Sequence, residues 1–223
     1  VLGRVPEELE VREHDARFRV SSSTGQKTGW FFDQCDNRAR LRRLVSEARV
    51  LDLFSYVGGW GIQAACHGAR EVLCVDSSAG AVEQARANTV LNAVEDRVQV
   101  ERADVFEMLE SIRGDGRRFD VVIVDPPAFM KRRKDAKAGL QGYHRLNQLA
   151  MQVLSKDGLL VSCSCSQILS PEQLSDLVLK CARHTDRMVQ IIDRGHQAAD
   201  HPVHPAIPET DYLKTITARL TMA

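Results

Sequence analysis

The stretch Leu159 to Gln167, LLVSCSCSQ, sets two cysteines one residue apart at the end of an apolar run. Side chains alternate along a strand, so Cys163 and Cys165 share one face while Ser162, Ser164 and Ser166 share the other. Cys163 lies deeper and reads as core, because cysteine is among the residue types most often buried. A metal reading of the pair is poor, since Cys-x-Cys without a second Cys or His cluster lacks the usual zinc spacing, and no metal is expected. Cys165, nearer the carboxyl end where a cofactor would bind, is the candidate nucleophile. A thiolate adding to carbon 6 of a pyrimidine makes carbon 5 enolate-like and open to alkylation, whereas methylation of an amine or hydroxyl needs no thiol.

The second reactive pattern is VLDLFSYVGGWGIQAA, residues 50–65. Gly58, Gly59 and Gly61 let the chain turn tightly and approach a ligand closely. Gly59, Gly61 and Ala64 also satisfy a dinucleotide fingerprint, with Asp76 placed to bind ribose hydroxyls, so an NAD-dependent oxidoreductase is a rival. Three further acids favour S-adenosylmethionine. Asp52, just before the turn, suits a cationic amino group better than a pyrophosphate. Asp104 follows the third strand of the series, where it can accept from an adenine amino group. Asp125 opens Asp125-Pro126-Pro127, a rigid turn that fixes a carboxylate and carbonyls over a reaction site. The cofactor set on this reading is Asp52, Phe54, Ser55, Tyr56 and Gly58, then Asp76 and Ser77, Asp104 and Val105, and Asp125.

These residues need a scaffold that gathers strand ends. From Arg49 onward, nearly continuous apolar runs fit strands at 50–54, 71–76, 97–101, 119–125 and 158–165, as in parallel sheets covered on both faces. Helices fit between them, for example Ser78 to about Asn92, with Ser78 as N-cap and Ala81, Val82 and Ala85 inward. The pattern predicts an α/β, doubly wound, Rossmann-like fold, whose ligands bind at the carboxyl ends of the strands. Ahead of it, LEVREHDARFRV, residues 9–20, alternates around a His-Asp turn and predicts a hairpin. A helix fits Asp36 to Ser46, its arginines read equally as a solvated face or as something more specific. Two strands fit the tail, 188–192 and 211–220. The division expected is 1–33, a hairpin and loop, and 34–223, the catalytic domain.

Composition sets the limits. The 223 residues carry 30 Lys+Arg against 30 Asp+Glu, so no global charge steers the chain to a polyanion, and any such site must be a local patch. No apolar run approaches the roughly 20 residues that span a bilayer, and no signal-peptide pattern appears, which predicts a cytoplasmic protein with no membrane contact. Its 6 cysteines lack the density of a disulfide scaffold and are expected as free thiols.

The segments GQKTGWFFDQCDNR, VLDLFSYVGGWGIQAA, VDSSAGAVEQARAN, FDVVIVDPPAF, GLLVSCSCSQ and HQAADHP together resemble the bacterial 5-methylcytosine methyltransferases of large-subunit (23S) ribosomal RNA. The resemblance implies a class I S-adenosylmethionine-dependent methyltransferase fold, with Cys165 as nucleophile and Asp125 holding the cytosine near ring nitrogen 3. It places Gln34 and Arg38 at the methionine end of the cofactor. Cys35 and Cys163 depart from the family, where an Arg and an apolar or aromatic residue are expected. The family usually carries an N-terminal PUA-type RNA-binding domain, so this chain is expected to be the catalytic part of a longer protein, and a homodimer is possible. His196 and His201 are marked by the resemblance alone.

After Asp125-Pro126-Pro127 comes AFMKRRKDAKAG, a short basic run issuing from the catalytic turn. Phosphates flanking a flipped cytosine would lie near Lys131, Arg132, Arg133, Lys134 and Lys137, with Lys27 a further contact. Phe129 is expected to pack rather than stack on the base. Three alternatives stay open: methylation of a guanine or exocyclic amine on the same scaffold, the NAD-dependent oxidoreductase, and an RNA-binding module without chemistry.

Overall fold

The computed structural model describes residues 6–22, 29–130 and 132–223. A hairpin, β1 (Glu8–Glu13) and β2 (Ala16–Ser21), stands first and turns at His14, whose φ of 55° is left-handed. Helix α1 (Cys35–Leu41) follows, flanked by single 3-10 turns at Phe32–Gln34 and Arg42–Leu44. The expected helix over 36–46 is thus shorter and tightens at its arginine-rich end.

The sheet then builds in the predicted order, with β7 starting four residues before the expected 158–165, β8 running three past the expected 188–192 and β9 starting three after the expected 211–220: β3 (Arg49–Leu53), α2 (Gly59–Cys66), β4 (Glu71–Asp76), α3 (Ala79–Leu91), β5 (Val98–Arg102), α4 (Val105–Asp115), β6 (Phe119–Val124), α5 (Ala136–Gln152), β7 (Leu154–Ser164), α6 (Pro171–His184), β8 (Arg187–Gly195) and β9 (Lys214–Met222). The strand order is β5-β4-β3-β6-β7-β9-β8. β3 through β7 run parallel, while β9 is antiparallel to both β7 and β8. Order reverses between β3 and β6, so the crevice of a doubly wound sheet opens above their carboxyl ends.

Local chemistry sets the joints. Ser78 caps α3 by accepting from the Ala81 N–H. Ser170 and Gln173 form a reciprocal capping box on α6, with Pro171 at its first position. Asp104 caps α4, and Gly116 closes it at a φ of 80°.

Two apolar layers cover the sheet. One gathers Leu51, Leu53, Leu109, Phe119, Leu146 and Val178 under α4, α5 and α6. The other gathers Val50, Ile62, Val72, Ile123 and Val161 with Phe18, Val20 and Trp30 of the N-terminal segment. The hairpin is therefore sewn into the core beside α2 and α3, with Asn88 and Asn92 of α3 and its C-cap accepting from and donating to the backbone of Arg17 and Arg19. Cys163 is fully buried in this layer, accepting from Thr215 Oγ1 at 3.4 Å, and all six cysteines are free. Among the described residues no helix is long and apolar enough to cross a membrane.

Candidate active site

A cavity of about 320 Å³ opens at the carboxyl ends of β3, β4, β6 and β7. Its walls come from Phe54 to Val57, Gly59 and Trp60 after β3, from Asp76 and Ser77 after β4, from Asp125 to Ala128 after β6, and from Cys165 after β7. Trp30, Phe31, Asp33, Gln34 and Arg38 close it from the N-terminal side, and Leu213 from the approach to β9.

The β3 turn is bent hard to make this wall. Phe54 and Tyr56 hold φ values of 61° and 50°, and Gly58 one of 88°. Bulky side chains in the left-handed region store strain that surrounding contacts must sustain. The Asp76 carboxylate does much of this, accepting from Tyr56 N at 2.9 Å and from Ser78 N at 2.9 Å. The Ser55 hydroxyl, buried in the wall, has no hydrogen-bond partner among the described residues.

Asp125 sits across the cavity. Gln34 Nε2 donates to both of its oxygens at 3.1 Å, and Trp60 Nε1 donates to Oδ2 at 3.0 Å. Burial pushes its carboxyl up, opposed by the Trp60 bond and the Arg38 charge. Arg38 is itself held by Glu13 of β1: Nε and Nη2 donate to the two carboxylate oxygens at 2.5 and 2.7 Å, both side chains being 4% exposed. Glu13 also accepts from Trp30 Nε1 and Gln63 Nε2. Burial raises the Glu13 carboxyl, but Arg38, Trp30 and Gln63 outweigh it and hold it below the ordinary range. The buried arginine of α1 thus belongs to the site, not to a solvated face.

The structure brings most of the predicted set to one cavity: Cys165, Asp125, Gln34, Arg38, Phe54, Ser55, Tyr56, Asp76 and Ser77. Four others lie off its wall. Asp52 is fully buried beneath the glycine turn, where Oδ2 accepts from Gly61 N at 2.8 Å, and burial pushes its carboxyl up to about 7. A Cβ at position 61 would press on Cys74 Sγ and on Val72 at 3.0 Å, so glycine is what lets α2 sit on this acid. Asp52 braces the turn instead of facing a ligand's amino group. Asp104 is exposed and spends Oδ1 on the N–H groups of Phe106 and Glu107, while Val105 is core. Gly58 acts through its backbone as the residue before α2.

Of the basic set, Lys27 and Lys131 lie outside the described residues. Arg132, Arg133, Lys134 and Lys137 are exposed, and Arg132 pairs with Asp135 at 3.2 Å. Arg133 lines a second, open groove with Gln167, Ile168, Pro208 and Glu209, two residues beyond Cys165. Phe129 packs, 4.8 Å from the ring centre of Tyr143 and 6.5 Å from that of Phe54. His196 and His201 stay off the cavity wall, bonded to Gln197 O and Asp200. Sequence reading missed Trp60, Glu13, Gln63 and Lys214. Trp60 stood inside the glycine motif, but nothing in a one-dimensional pattern pairs Glu13 with Arg38.

The unpartnered Ser55 hydroxyl, the Asp76 carboxylate and the aromatic walls Trp30, Phe31 and Tyr56 suit a ligand that is part nucleoside and part polar chain. Residues 2–217 match the family described as S-adenosylmethionine-dependent methyltransferase. The chain belongs to that family. The fingerprint-based oxidoreductase reading gives way to this match. The chain is 38% identical over 222 residues to "Ribosomal RNA large subunit methyltransferase I" of Erwinia tasmaniensis, covering 99% of this chain and 56% of that protein. It is 38% identical over 216 residues to the protein of the same name from Cronobacter sakazakii, covering 96% and 54%. The chain spans about half the length of the curated relatives it matches. Among solved structures, SMU.776, assigned as a methyltransferase and complexed with SAH, superposes with a TM-score of 0.86 at 25% identity, covering 97% of this chain and 57% of that one. The tRNA m1G37 methyltransferase of M. jannaschii shares the fold, with a TM-score of 0.73 at 17% identity over 99% of this chain and 59% of that one.

Proposed function

We propose that this chain is the catalytic part of an enzyme that forms 5-methylcytosine in large-subunit ribosomal RNA. The observation that carries the reading is the placement of Cys165 and Asp125 on the wall of one cavity, at the ends of β7 and β6. The relatives, named as large-subunit ribosomal RNA methyltransferases, supply the substrate class.

Gln34, Arg38, Ser55, Tyr56, Asp76 and Ser77 would hold S-adenosylmethionine, which supplies an electrophilic methyl group. Cys165, as thiolate, adds to carbon 6 of the cytosine, forming the sulfur–carbon bond and moving the ring's double-bond electrons toward carbon 5. Asp125 faces ring nitrogen 3. Burial raises its carboxyl and so favours the protonated form, which can pass a proton to that nitrogen as charge builds there and recover it afterwards. Once carbon 5 carries the methyl group, loss of its proton to a base and expulsion of the Cys165 thiolate restore the aromatic ring. Arg132, Arg133, Lys134 and Lys137 would meet phosphates flanking the flipped base, Arg133 from the groove it shares with Gln167 and Ile168.

On this reading the enzyme works in the cytoplasm. It would also pair as a homodimer, a step supported by the edge strand β8, which leaves Met188 58% and Ile192 48% exposed. A monomer in sedimentation at micromolar concentration would remove that last part.

The test is mass spectrometry of the protein with S-adenosylmethionine and ribosomal RNA carrying 5-fluorocytidine, which blocks release of the adduct. A covalent protein–RNA species mapping to Cys165 is expected, absent in Cys165→Ala. A Cys165→Ala protein that still methylates RNA would shift the reading to guanine or exocyclic-amine methylation.

A further inference from the structure

Lys214 opens β9 opposite Ser164 of β7, one residue from the proposed nucleophile. It is only 7% exposed. Its Nζ donates to the carbonyl of Ser166 at 2.5 Å and to that of Tyr212 at 2.8 Å. Burying an ammonium is costly unless its surroundings use the charge. Two backbone carbonyls satisfy two of its three N–H groups but neutralise nothing.

The other groups around Cys165 argue for what the charge does. Asp125 stands at the end of β6. Tyr143 of α5 accepts from Ser164 Oγ at 2.9 Å, and the Tyr212 hydroxyl donates to Asp33 at 2.6 Å. Asp211 precedes Tyr212, and Cys163 lies deeper on the same strand face. These neighbours are acidic or neutral, and Arg38, which lines the same cavity, is spent on Glu13, so a negative sulfur here is disfavoured without a further cation. Burial lowers the Lys214 ammonium from its ordinary value, and Cys165 and then Asp211 push it back up, so sulfur and ammonium feel each other's charge.

The geometry points to Lys214 as the positioning residue of the thiol: it pins the backbone just after Cys165 and supplies the positive charge that favours the thiolate. This rests on the nucleophilic role proposed for Cys165. No bond is made or broken by Lys214, which keeps its proton throughout.

The test reads thiol chemistry without RNA. The chain is alkylated with iodoacetamide from pH 6 to 10, and each cysteine-containing peptide is followed by mass spectrometry. Lys214→Gln, which keeps hydrogen-bonding capacity and removes the charge, is expected to move the Cys165 profile to higher pH and slow its alkylation at pH 7 by about tenfold. Lys214→Arg should restore most of the rate, and Cys66, remote from this strand end, should react unchanged in both. Superimposable Cys165 profiles for wild type and Lys214→Gln, with equal thermal unfolding, would overturn the role. If Lys214→Gln fails to fold, Lys214→Arg alone decides: a profile that keeps its midpoint supports the charge role, and one displaced upward overturns it. A displaced profile without a fluorocytidine adduct would retire the nucleophile and leave the coupling. An adduct with an unmoved profile would retire Lys214 alone.

Discussion

Glu13 and Asp125 are both carboxylates drawn toward the N-terminal segment, 112 positions apart in the chain, and burial drives both upward. Their partners separate them. Glu13 faces the Arg38 guanidinium through two charge-assisted bonds and ends below the ordinary range. Asp125 receives neutral donors, Gln34 and Trp60, with the Arg38 charge acting without a direct bond, and ends above it. A neutral donor orients a carboxylate and leaves its proton affinity high, whereas a guanidinium fixes it as an anion. The first is what an acid-base group over a substrate needs, and the second is what a structural joint needs.

Breaking the joint should have the largest effect. Arg38→Met leaves Glu13 buried and unpaired, a loss of about 3–5 kcal/mol by the measure of other buried pairs. The sign with pH follows from the lowered Glu13 carboxyl. Its contribution is present above the unfolded value of 4.5 and is lost as pH falls through the folded one. Urea unfolding should therefore show wild type and Arg38→Met far apart at pH 7 and converging toward pH 3. A gap that persists in acid would mean the arginine acts by packing on Trp30, 4.8 Å from its ring centre, and not by charge.

The same contrast explains what was legible in the sequence. The β3 turn, Asp76 and the Asp125-Pro126-Pro127 corner lie within short contiguous motifs, because a strand end and its loop fix their own geometry. The place of Cys165 on the cavity wall was legible because it stands at the carboxyl end of an apolar strand. Ser78 to Asn92 emerged as helix and caps because the caps are local. Glu13, Trp60 and Lys214 depend on tertiary register. A glutamate in a charged hairpin and a lysine in an alternating strand both read as surface until α1 and β7 cover them. Asp52 misled for a related reason: its place beside the glycine turn was correct, but which way it faced was set by α2 packing on it.

Asp52 offers the opposite sign to Glu13. Its carboxyl rises from 3.8 in the ordinary state to about 7 in the fold, chiefly by burial, with Asp125 and Asp76 adding to it. A group raised in this way contributes stability below its unfolded value and loses it as pH rises through the folded one. Wild type should accordingly weaken between pH 4 and pH 8 by about 2–4 kcal/mol through this group, set against the gain from Glu13 near pH 4. Asp52→Asn should flatten that slope, read as the urea midpoint at each pH. A slope unchanged in Asp52→Asn would place the buried proton elsewhere.

The smallest effect sharpens the comparison at its functional end. Trp60→Phe removes one neutral donor from Asp125 and keeps the apolar bulk, costing about 1 kcal/mol of stability. Because that bond lowers the Asp125 carboxyl, its loss should raise it further. If protonated Asp125 serves ring nitrogen 3, the alkaline limb of the methylation rate should move to higher pH in Trp60→Phe. In Asp125→Asn the limb should vanish along with most of the rate. A limb that moves to lower pH, or one that survives in Asp125→Asn, would mean that the titrating group is another, and that the two carboxylates differ in structure without differing in use.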